Sequence, residues 1–142
     1  MSDYLLANHD VVFRVVEVER VAYDFSSATA HVVLREAEGA RRTLNIPVAL
    51  ADATAMHHAA HHTLGRRPST SELAISMFQE LHVDVIAARI VRCEEGVFYA
   101  EIDIMTPRGR RVFDCRPSDA ISLSRRQVVP APVLVAEGLL DT

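Results

Sequence analysis

A chain of 142 residues, 49% of them hydrophobic, is long enough to bury one core, and a domain of this size hides roughly two-thirds of the surface its unfolded form exposes. The formal charge of −4 argues against a protein that coats nucleic acid through bulk electrostatics, so any contact with phosphate must be local. No apolar run approaches the ~18 residues of a membrane-spanning helix, and the acidic start Met1-Ser2-Asp3 does not read as a signal peptide, so a cytoplasmic protein with no membrane partner is expected.

Asp10 to Glu19 reads as a strand, with Val11, Phe13 and Val15 apolar and Arg14, Glu17 and Glu19 polar. A second strand is expected over 29–37. Glu38-Gly39 supplies a turn, and Arg42 to Val48 pairs back as a hairpin. Pro47 has no N–H to give to a ladder, which suits a sheet edge or a strand terminus.

The alanine-rich stretch 50–64 is helical in propensity, and Gly65 with Pro68 gives the stop. On a 100° wheel Met56, Ala60, Ala53 and Leu64 gather on one side and the histidines on the other. His57 with His61, and His58 with His62, are i,i+4 pairs, a spacing that can bring two imidazoles to one metal ion. The HExxH pattern of zinc proteases is absent because His58 stands where the glutamate would be. An exposed polar face and an oligomer contact are the alternative uses of the same spacing.

Ser69-Thr70-Ser71-Glu72 reads as a capping box opening a second helix that runs to about Leu81. Leu73, Ile75, Met77, Phe78 and Leu81 are its expected core set, and His82 stands where a helix C-terminus favours a charged imidazole. Two strands follow, 83–93 and 97–105, joined at Glu94-Glu95-Gly96 as a hairpin. In the second, Val97, Tyr99, Glu101, Asp103 and Met105 share one face. Glu101 and Asp103 could hold a divalent cation through oxygen ligands, but such a pair is more often the solvent side of a strand.

Pro107-Arg108-Gly109-Arg110 is a turn, and Arg111 to Asp114 a short strand. Asp114-Cys115-Arg116-Pro117-Ser118-Asp119-Ala120-Ile121 then ends the strand and opens a helix, with two carboxylates and a guanidinium in six residues. That helix stops before Pro130, 132–136 reads as a last strand, and 137–141 as a closing turn. The order, with hairpins in place of regular βαβ alternation, indicates a single α+β domain with a mainly antiparallel or mixed sheet and three to four helices. Cys93 and Cys115 lie far apart and read as buried free thiols. All 15 basic residues are arginine, recurring as the pairs 41–42, 66–67, 110–111 and 125–126; each pair reads as solvated loop charge unless several converge on one rim.

The stretch Asp114 to Leu123 resembles the acidic-x-Arg-Pro-Ser-Asp-Ala-Ile-Ala-Leu signature of the bifunctional nuclease (BFN) domain family. Gly96-Val97-Phe98-Tyr99-Ala100 is similar to that family's Gly-x-Phe-Tyr-Ala hairpin, and Pro132 to Glu137 to its Pro-Ile-Tyr-Val-Ala-Glu end. The resemblance runs from about Arg14 to Asp141, leaving 1–9 as an extension. It implies a small α+β domain, a homo-oligomer, and nuclease activity on DNA and RNA. Two departures stand out: Ala49-Leu50-Ala51-Asp52-Ala53 replaces Gly-Pro-Phe-Glu-Ala, keeping a shorter carboxylate, and Thr70-Ser71-Glu72-Leu73 lacks a family histidine.

Phosphodiester hydrolysis needs an activated water, positive charge for the phosphorane and help for the leaving oxygen, all of which carboxylate-held metal supplies. Asp114, Asp119 and Asp52 are therefore the catalytic candidates. Asp114 and Asp119 would ligate Mg²⁺ or Mn²⁺, while Arg116, with Arg67 and Arg111, would bind phosphate. Helix-entry physics reads the same motif differently: Asp119 in a first turn stabilises the helix dipole and Arg116 pairs with a carboxylate. The competing class is a non-catalytic oligomeric binding or regulatory module.

Overall fold

The computed structural model of the chain describes residues 11–61 and 67–140. Within them, strands β1 (Phe13–Asp24), β2 (Thr29–Glu36), β3 (Thr43–Ala49), β4 (Asp84–Glu94), β5 (Val97–Thr106), β6 (Gly109–Cys115) and β7 (Val133–Ala136) form one sheet, ordered β3-β2-β1-β7-β4-β5-β6. Helices α1 (Leu50–His61), α2 (Thr70–Glu80) and α3 (Pro117–Arg126) and a 3-10 turn, Glu137–Leu139, complete the described residues. The domain is α+β, as expected.

Most of the sheet is built by local pairing: β1–β2, β2–β3, β4–β5 and β5–β6 are antiparallel neighbours in sequence. At the β4–β5 turn Glu95 and Gly96 both have positive φ (51° and 78°), the pairing that matches hairpin twist. Strand β7 joins the two ladders, antiparallel to β1 and parallel to β4, which makes the sheet mixed. A parallel pair requires a long crossover, here supplied by β5, β6 and α3. Pro47 lies on β3, an edge strand. Strand β1 starts at Phe13, later than its alternation suggests, and runs on to Asp24 through a bulge between Val18 and Arg20 that resets the register.

The register sorts side chains onto two faces. Val16, Val133, Ala88 and Ile102 form one row; the first three, with Val135, Ile90 and Ala100, pack against Met56 of α1 and Ala120 and Ile121 of α3, while Ile102 belongs to a second cluster. Ile75 of α2 adds a smaller cluster with Val85 and Ile104. The next row, Val15, Leu134, Arg89, Glu101 and Asp114, faces away from the helices.

That far face corrects one expectation. Glu101 and Asp103 are each 1% exposed, neither solvent-facing nor open to a cation. Arg89 donates to Glu101 at 2.6 Å and to Asp103 at 2.8 Å, and Arg110 donates to Asp103 at 2.8 and 2.9 Å. Two arginines from neighbouring strands cover the two carboxylates. One member of each of three arginine pairs is likewise employed in structure: besides Arg110, Arg42 binds Glu36 and Glu137, and Arg126 reaches Glu72.

Helix α2 corrects another. It packs through Ile75 and Phe78 only at the border of α3, so Leu73, Met77 and Leu81, expected in the core, are exposed. His82 ends the helix through its backbone, adopting φ 56° while its N–H reaches Gln79 O and that of Val83 reaches Phe78 O, a Schellman closure. Cys93, read as buried, is exposed at the hairpin end; Cys115 is partly buried.

Candidate functional site: an arginine between two helix-borne aspartates

The site is built where β6 becomes α3. Pro117 occupies the first helical position, where its missing N–H costs nothing, and Arg116 before it is extended, with φ −75° and ψ 151°. No side chain caps this N-terminus, so Arg116 is free to extend elsewhere. It donates to Asp119 through Nε and Nη2, both at 2.9 Å, and to Asp52 through Nη1 at 2.9 Å and Nη2 at 3.3 Å. All four carboxylate oxygens thus accept from one guanidinium. Asp119 first and Asp52 second hold the Arg116 guanidinium charged well above its ordinary value.

Asp52 lies in the first turn of α1 and Asp119 in that of α3, where a carboxylate offsets the unsatisfied N–H groups. A third helix start converges here. Ser69 caps α2, accepting from Glu72 N, and its hydroxyl meets the Glu72 carboxylate at 3.3 Å, a variant of the expected capping box. Ser69, Thr70, Ser71, Ser118 and Asp52 line an open groove of about 400 Å³ with Arg116 and Asp119. A second groove of about 370 Å³ leaves the other side of the Arg116–Asp52 pair toward Pro47, Val97 and Phe98. The Arg116 side chain is 62% exposed between them.

A larger cavity, about 600 Å³, opens beside Arg14, Glu36 and Arg42, but those charges already pair with one another and with Glu137.

The other candidates fall elsewhere. Asp114 is exposed and paired in register with Glu101, on the face away from the helices, and so does not join Asp119. Its charge, after burial and Asp119, helps push the Cys115 thiol up to about 12. Arg67 and Arg111 are exposed, but neither lines the groove; Arg111 Nη1 donates to Arg110 O. His57 is exposed on α1, whereas the side chains of His58 and His61, and His62 altogether, lie outside the described residues. Among the described residues no three His, Cys, Asp or Glu side chains form a metal-binding group. The Asp52–Asp119 pair, its oxygens all engaged by Arg116, does not by itself fit a resident divalent ion. No site role was expected of the serines lining the groove; the capping box was the signal that placed Ser69 and Ser71 at a helix start.

The family described as bifunctional nuclease domain matches residues 32–142, most of the chain. The match begins within β2, although β1 pairs with both β2 and β7 and is part of the same sheet. No curated protein matches the chain.

Proposed function

The chain belongs to the bifunctional nuclease domain family, and from that premise we propose that the groove at Arg116 binds and hydrolyses a nucleic-acid phosphodiester. The observation that carries this reading is one exposed guanidinium holding two carboxylates where three helix N-termini meet. A planar fork that satisfies two carboxylates presents the same donors to two phosphate oxygens.

In this reading the phosphate displaces Asp119 from Arg116, and the helix starts favour its charge. Asp119, the more exposed of the two, then accepts a proton from the attacking water. A bond forms between water oxygen and phosphorus, the ester P–O bond breaks, and the leaving oxygen takes a proton from solvent. Asp52 stays with Arg116 and keeps the fork oriented. The test is cleavage of DNA and RNA oligonucleotides by the purified chain in Mg²⁺ or Mn²⁺. Uncut substrates, or an Asp119→Asn variant that cuts as well as the parent, would overturn the reading.

A second reading, the non-catalytic oligomeric module, is favoured by α2. Leu73, Met77 and Leu81 are exposed at i, i+4 and i+8, a ridge symmetric about Met77 that a second copy could match antiparallel. A parent chain that is a dimer in solution, becomes a monomer as Met77→Glu, and cuts nothing would establish it in place of the first.

A further inference from the structure

At the end of the sheet where α1 starts, the β1–β2 turn carries two aromatic rings that belong to neither core cluster. Phe25 is 79% exposed and Tyr23 36%. Their rings are parallel to within 2°, with centroids 5.6 Å apart, an offset stack. The turn beneath is braced: Asp24 Oδ1 accepts from the Ser26 hydroxyl at 2.6 Å and from the N–H groups of Ser26 and Ser27 at 3.1 and 3.3 Å. Ser27 and Thr29 hydroxyls meet at 2.7 Å. An exposed apolar ring held in place by a hydrogen-bonded turn is preorganised for a flat partner.

The register places this turn beside the groove. Asp24 pairs with Thr29, and Thr29 with Ala49, the residue before α1. Two strand spacings of about 4.8 Å and the first turn of α1 therefore separate the rings from Asp52, on the order of 10–15 Å. That span is shorter than the stretch of roughly 4–16 nucleotides a single-strand binding fold covers, so one strand could reach both.

We propose that Phe25, stacked on Tyr23, is a platform for an unpaired base, so that the groove's substrate is single-stranded nucleic acid; this rests on the phosphodiester reading above. A chain of net charge −4 gains little from bulk attraction to phosphates, and stacking supplies affinity that charge does not. One stacked base contributes roughly 5- to 150-fold in affinity whatever its identity. In a duplex both faces of each base are already covered by neighbours, so the platform selects unpaired strands.

The chain contains no tryptophan, so Phe25→Trp places a single indole at the turn. Titration with an unpaired oligonucleotide should quench its fluorescence, whereas an abasic oligonucleotide of equal length and a duplex should not. In fluorescence polarisation with labelled oligonucleotide, Phe25→Ala should bind the unpaired strand at least about 5-fold more weakly than the parent, with an unchanged circular dichroism spectrum. Equal binding by Phe25→Ala, no binding by the parent, or an indole signal that moves with protein concentration alone, which marks a contact between copies, would overturn the proposal. Base-dependent quenching without any cleavage would overturn only hydrolysis. Cleavage lost in Arg116→Ala, with abasic and base-containing strands bound alike by the parent, would overturn only the platform.

Discussion

Arg116 Nη1 lies 2.9 Å from Asp52 Oδ2 and closes a contact between residues 64 positions apart. The pair ties the start of α1 to the start of α3, yet Arg116 is 62% exposed and its partners keep water within reach. An exposed pair contributes about 0–1 kcal/mol. Arg116→Ala should therefore leave the urea midpoint nearly unchanged while abolishing cleavage, and Arg116→Lys should recover little, because an ammonium cannot fork two phosphate oxygens.

The guanidinium of Arg89 contrasts with it. It lies over Glu101 and Asp103, each 1% exposed, and Glu101 Oε2 is already buried without a hydrogen-bond partner. Removing one partner from a buried ion pair costs about 3–5 kcal/mol. Arg89→Ala should show that loss in chemical denaturation, and equal midpoints for the Arg89 and Arg116 variants would contradict the burial argument.

The two aspartates should separate in kinetics. Asp119→Asn removes the proton acceptor and should lower kcat by about 10²- to 10⁴-fold with little change in KM. Asp52→Asn leaves that acceptor but loosens Arg116, so its effect should appear in KM. Single-turnover assays on one oligonucleotide distinguish the two patterns.

Acid stability should follow Asp103. Burial works to raise its carboxyl, but the hydrogen bonds from Arg110 and Arg89 outweigh it and hold the group below the ordinary carboxylate value. A depressed folded value means the stabilisation is full above the unfolded value, about 3.9, and is lost as pH falls through the folded one. Below about pH 4 the parent should lose stability more steeply than Asp103→Asn, which is weaker at neutral pH but flatter in acid. Parallel curves of unfolding free energy against pH would refute this.

Thiol chemistry should distinguish the cysteines. Burial first, then Asp119 and Asp114, push Cys115 up to about 12, so at neutral pH it carries almost no thiolate. Cys93 is exposed. Alkylation of the native protein followed by peptide mapping should find Cys93 modified and Cys115 intact.

The hairpins were legible in the chain because they depend on neighbours: Glu94-Glu95-Gly96 supplies the turn and alternation in 97–105 supplies the register. The start of α2 was legible for the same reason, since Ser69 and Glu72 meet within one turn. Periodicity, however, reports two faces without saying what covers each. It assigned Glu101 and Asp103 to solvent because Arg89 and Arg110 belong to other strands, and it assigned Leu73, Met77 and Leu81 to a core that α2 meets only along Ile75 and Phe78.

The sequence by itself determined the order of elements and the strand-to-helix corner at Arg116-Pro117-Ser118-Asp119, which follow from local backbone preference and short-range pairing, and, through motif resemblance, the family. Which carboxylates Arg116 serves was decided by tertiary structure alone. Strand alternation turns Asp114, two residues away, to the far face, while the packing of α1 on α3 brings Asp52 to the guanidinium. A contact that spans 64 residues leaves no local trace in the chain, because its geometry exists only once the sheet has set both helices on one face.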